Sequence, residues 1–192
     1  MLHMKKAFVF EAIFSLVLLG SSSASGQTLN TLDRPYDVLV LRGSDVPQWL
    51  GERFDAIQPR FYRYDAAADV WTPLPFQFDN SNPDEADPTV NEQDEFLFMA
   101  PDMGDQAPPE AWVPDNASKL YGRIEVRAAD PLNPGRYGWI YLYRSSTLPL
   151  STTKYLHYTA ASDQIESDVY IAGHGVSGFQ STLKLKTEAG GG

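Results

Sequence analysis

Apolar and polar residues along this chain alternate mostly with the period of a strand. In 119–129, Leu120, Gly122, Ile124, Val126 and Ala128 point one way and Tyr121, Arg123, Glu125 and Arg127 the other. That period of two is the mark of a strand with one covered face. Residues 138–143 read as its hairpin partner across a turn at 130–136 that holds Asn133-Pro134-Gly135. Residues 60–64 and 70–74 read as a second hairpin around the loop 65–69. Residues 36–41 and 95–100 are further strands, rich in aliphatic and aromatic residues. In 75–79 the flanking Pro73 and Pro75 predict an edge or irregular strand. Residues 154–159 and 168–172 are two more, and 179–186 alternates weakly. One short helix fits 44–54, with Asp45 as its cap, Pro47 in its first turn and Gly51 at its end. No repeat is present. The expected class is all-β: an antiparallel β-sandwich or jelly-roll-like fold with long acidic loops and at most one or two short helices.

The first residues do not belong to this pattern. Lys5 and Lys6 precede an apolar run, 7–20, broken only by Glu11, and small residues follow from Ser21 to Gly26. This is the layout of an export signal, with Ala24 and Gly26 at the peptidase positions and Gln27 as the first mature residue. A run this short falls below the roughly 20 residues that span a bilayer. The expected organisation is a signal peptide, 1–26, a β-sandwich domain, 27–186, and a linker or cut end, 187–192. No later stretch is apolar enough to span a membrane, so an exported protein is expected, in the periplasm, on the cell surface or outside the cell.

Charge is distributed unevenly. From Tyr64 to Ser118 there are 13 Asp or Glu and no Lys or Arg. The mature chain carries 13 Lys and Arg against 24 Asp and Glu, a formal charge of −11, so everything outside the acidic segment is slightly basic. An acidic exported chain is a poor partner for nucleic acid. The absence of cysteine removes disulfides, thiolate metal sites and thiol nucleophiles.

The acidic segment suggests a cation. Calcium takes six to eight oxygens. Asp79, Asn82, Asp84, Asp87, Asp94 and Glu95 offer them in one loop and its flanks, and Asp102 and Asp105 could fold back from the next. No EF-hand frame fits. The alternative is a solvated acidic face. Carboxylates are plentiful enough for glycoside hydrolysis, yet no spacing selects a pair. Trp71, Trp112, Trp139 and Tyr141 would either stack on sugars or form core. His157 and His174 stand far apart, which disfavours a transition-metal site. Ser177 and Ser181 near His174 lack a nucleophile-elbow context. Neither a P-loop nor a dinucleotide fingerprint occurs, so no catalytic residue and no organic cofactor is expected.

Two stretches carry a resemblance. Pro75-Phe76-Gln77-Phe78-Asp79 and Asp94-Glu95-Phe96-Leu97-Phe98-Met99-Ala100-Pro101-Asp102-Met103-Gly104-Asp105 resemble an uncharacterised family of secreted bacterial and archaeal proteins. Its members share Pro-Phe-Gln-x-Asp, an acidic loop, then Asp-Glu-x-x-Phe-Met-Ala-x-Asp-x-Gly-Asp. Typical members carry a glycine-rich loop that reads as a calcium loop, whereas 80–87 here has no glycine. The resemblance implies export and a chain that continues beyond residue 192, and it implies no activity.

These observations lead to an exported, non-enzymatic β-domain of a surface or periplasmic protein, with calcium as a structural ion and a protein or glycan as partner. The rival is a secreted carbohydrate-active module that binds or hydrolyses glycans. An exposed tryptophan platform would favour the rival, and buried tryptophans the scaffold.

Overall fold

The computed structural model describes residues 28–82, 89–174 and 180–187. The expected signal peptide, most of the 187–192 end and Ser177 lie outside them. The chain divides between Ser151 and Thr152 into two compact units.

The first unit holds seven strands: β1 (Val38–Arg42), β2 (Pro59–Asp65), β3 (Val70–Pro73), β4 (Gln77–Asp79), β5 (Glu95–Met99), β6 (Ile124–Asp130) and β7 (Asn133–Arg144). They form two sheets, ordered β1-β5-β4 and β3-β2-β7-β6, with every pair antiparallel. The expected all-β class is therefore what the chain adopts. The strands are joined by one helical turn, α1 (Phe54–Ile57), and four short 3-10 turns.

Alternation explains how the two sheets meet. Leu39 and Leu41 of β1 and Phe96 and Phe98 of β5 share one core with Phe61 of β2, Val126 and Ala128 of β6, and Ile140 and Leu142 of β7. Phe61 is the centre of this core. Its ring lies 5.7 Å from Phe96 and 4.3 Å from Phe76, which it stacks upon. Burying one such side chain is worth about 1.5–3 kcal/mol. The edge position expected for 75–79 is observed, since β4 pairs only with β5.

Strand β7 is covered on both faces. Ile140 and Leu142 point into the sandwich core, while Trp139, Tyr141 and Tyr143 point into a second, aromatic cluster. Tyr62 and Tyr64 of β2, half-buried Trp71 and Trp112, Ala107, Val113 and Leu148 complete that cluster. The layer over this face is largely irregular chain from the acidic segment. Arg123 sits beneath it, donating to the carbonyls of Ala111 at 2.6 Å and Pro108 at 3.1 Å. Its guanidinium lies 4.9 Å from the centre of the Tyr141 ring and 5.6 Å from that of Trp112.

Three local expectations change. The helix at 44–54 becomes two 3-10 turns, Gly43–Asp45 and Pro47–Trp49, before α1. Pro47 opens the second turn and Gly51, at φ 78°, follows it, so the punctuation is as expected but the helix is not continuous. The strand at 119–129 begins only at Ile124, after a 3-10 turn, Ala117–Leu120. The hairpin reversal falls on Pro131-Leu132, with Asp130 opposite Asn133. Asp130 accepts the Leu132 N–H at 2.8 Å, and Asp side chains favour such turns.

The second unit contains β8 (His157–Thr159), β9 (Gln164–Glu166), β10 (Tyr170–His174) and β11 (Gln180–Leu185), paired in chain order as an antiparallel meander. Register places Tyr158, Ile165, Ala172 and Leu183 in one cross-strand row, with Tyr170 and Leu185 beside them. The opposite face carries His157, Glu166, Ile171 and Lys184 in one row and Thr159, Gln164, Gly173 and Thr182 in the next. On the apolar face Tyr158, Leu183 and Leu185 are exposed and Ile165, Tyr170 and Ala172 half-buried.

Candidate functional site

The acidic loop runs from the end of β4 at Asp79 to the start of β5 at Glu95, and Asp94 closes it. Asp94 is 0% exposed. Its Oδ1 accepts the Ser81 N–H at 2.9 Å, the Ser81 hydroxyl at 2.9 Å and the Asn91 side-chain amide at 2.8 Å. Its Oδ2 accepts the Asn91 N–H at 2.9 Å. A buried carboxylate is costly unless such donors replace its water, and charge-assisted bonds are the strong ones. The Asp94 carbonyl in turn accepts the Gly43 N–H at 2.8 Å. A side chain at Gly43 would place its Cβ 1.8 Å from the Asn91 carbonyl oxygen, so only glycine admits this crossing.

The other candidates separate into two groups. Asp79 and Glu95 are cross-strand partners at one end of the β4–β5 pair, next to Arg42, whose Nε is 4.0 Å from Glu95. Asp79 accepts from the Gln77 amide, and exposed Asn82 donates its N–H to the Asn80 side chain. Asp84 and Asp87 lie outside the described residues. Asp102 and Asp105 lie past the opposite end of β5. Five residues of strand put roughly 13 Å between the two ends. Asp102 closes a 3-10 turn, Ala100–Asp102. Asp105 accepts the Asn30 N–H at 2.7 Å and the Ala66 N–H at 2.8 Å, tying the N-terminal lead-in to the β2–β3 loop. Asp102 and Asp105 therefore lie beyond the far end of β5 from Asp79 and Glu95. Among the described residues no three His, Asp or Glu side chains gather closely enough to hold a metal ion.

Several residues of the two stretches 75–79 and 94–105 have a packing or bonding role. Phe76 stacks on Phe61, and Phe78 stacks on Phe54 at 4.3 Å. Asp94 closes the loop, while Phe96, Phe98 and Ala100 are core. A Cβ on Gly104 would stand 2.4 Å from the Tyr64 carbonyl, so the backbones of 104 and β2 approach as only glycine allows. Asp105 fastens two further segments.

Most of the remaining reactive groups have partners, while the buried Tyr143 hydroxyl has no hydrogen-bond partner among the described residues. Burial pushes the Tyr141 and Tyr143 phenols well above the usual tyrosine range. The Tyr141 oxygen accepts the Ala107 N–H at 2.5 Å. The Ser145 hydroxyl donates to Asp115 at 2.5 Å and accepts the Leu148 N–H at 2.9 Å. That bond holds the Asp115 carboxyl below the usual range. His174 Nδ1 stands 3.6 Å from Asp163, and the Ser181 hydroxyl reaches the Gly173 carbonyl at 3.4 Å. A cleft of about 410 Å³ beside the loop is lined by Arg42, Ser44, Glu92, Gln93 and Glu95, all polar. A small cavity of about 60 Å³ lies between Trp49, Tyr121, Ile124, Leu142 and Arg144. Trp49 and Trp139 are buried, and Trp112 donates its indole N–H to Ser118 at 2.8 Å. Among the described residues no helix is long and apolar enough to cross a membrane.

Arg123 is the residue that alternation did not reveal as important. Its strand position assigns it to the non-core face, and only the covering of that face by residues near 107–113 makes it central. Compared with protein-family models, curated proteins and solved structures, the chain matches none.

Proposed function

We propose that this chain is an exported, non-enzymatic β-domain of a surface or periplasmic protein, acting as a scaffold that presents its surface to a protein or glycan partner. One observation carries the reading: the residues richest in chemistry are occupied in holding the fold. Asp94 accepts the backbone N–H of Ser81 across the loop, and Asp105 that of Ala66 in the β2–β3 loop. Trp139 is 3% exposed, and half-buried Trp71 and Trp112 pack in the same aromatic cluster. Among the described residues no tryptophan is exposed as a platform that would support a carbohydrate-active module.

Calcium enters this reading as an accessory of the loop. Asp94 has its carboxylate engaged by protein donors. The ion would draw on Asp79 and Glu95, with oxygens of the 80–93 loop supplying the remainder.

Fractionation of the native producer tests the proposal. The expected result is an extracytoplasmic protein whose mass begins at Gln27 and which binds no sugar on a glycan array. A cytoplasmic chain with residues 1–26 intact would overturn export. Glycan binding that is lost in Trp71→Ala, with the fold retained, would replace the scaffold with the carbohydrate module.

A further inference from the structure

We draw no further inference here: the strongest candidate, the apolar face of the β8–β11 sheet where Tyr158, Ile165, Tyr170, Ala172, Leu183 and Leu185 stand together, is an unpartnered sheet face and nothing in the structure shows what covers it.

Discussion

The sheet β3-β2-β7-β6 and the sheet β11-β10-β9-β8 are both four-stranded and antiparallel, yet they differ in what covers them. The first has the β1-β5-β4 sheet on one face and the aromatic cluster on the other, and from Gly138 to Tyr143 its strand β7 is buried without a break. The second carries an apolar row across all four strands, and every residue of its strand β11 is exposed. Hydrogen-bonded pairing alone makes a sheet, but stability follows burial, so the two should contribute very unequally to the folding free energy.

The largest expected effect lies in the covered region. Phe96 is 0% exposed and touches the rings of Trp49, Phe61 and Phe78. Phe96→Ala should cost about 3–5 kcal/mol, read from urea unfolding. A loss under about 1 kcal/mol would mean that this core is not the main source of stability, and the contrast between the two sheets would fail.

Asp94 comes next. Asp94→Asn removes the charge and turns an NH₂ group toward donors that need an acceptor. A hydrogen bond to a charged group is worth about 1.5–3 kcal/mol, and we expect a loss of about 2–3 kcal/mol in the same experiment. The Asn91 and Ser81 amides should also exchange with solvent faster. An unchanged midpoint would indicate that the loop is held by its other contacts, chiefly Gly43 N–H to Asp94 O.

A smaller effect tests the cation. With an affinity on the order of 10⁻⁴–10⁻³ M, calcium at ten times its dissociation constant should add roughly 1.4 kcal/mol. The thermal midpoint should rise in millimolar calcium beyond its rise in sodium chloride of equal ionic strength, because screening alone also relieves acidic repulsion. Since Asp94 is engaged by protein donors, the informative variants are Asp79→Asn and Glu95→Gln, which should remove the calcium-specific part. Equal shifts in the two salts would leave the segment a solvated acidic face.

These expectations also show where the sequence was readable. The hairpin of β2 and β3 was visible because two runs rich in aromatic and β-branched residues flank a short loop, which Asp69 closes at φ 53°. The core face of β6 was visible at Val126 and Ala128 because the strand alternates strictly. Strand β9 is only three residues long, too short for a period to register. The helix expected at 44–54 had suitable caps. Tertiary bonds instead tie Gly43 to Asp94 O, Gly51 to Val90 O and Val90 to Glu52 O, pinning the segment against residues 90–94. Local propensity is a weak prior against such contacts. The acidity of the loop was plain, but the role of Asp94 depends on Ser81 and Asn91 being brought to it. Arg123 is central for a comparable reason: its importance comes from chain laid over a face that alternation marks as outer.

The smallest expected effect belongs to the open sheet and sharpens the comparison most. Leu183 has the residue type and strand position of a core leucine, but it is 67% exposed. A buried Leu→Ala change costs about 2–5 kcal/mol, whereas a surface substitution away from special features stays within about 0.5 kcal/mol. We expect Leu183→Ala to fall in the second class, with the main unfolding transition unmoved. Leu183→Lys should behave alike and raise solubility, because it breaks an apolar row that favours association. Hydrogen exchange supplies the independent check. Amides of β10 and β11 should exchange well before those of β2 and β7, since openings there expose little apolar surface. A cost near that of Phe96→Ala, or equal protection in the two sheets, would mean that the face is covered in solution and that the two sheets are equals.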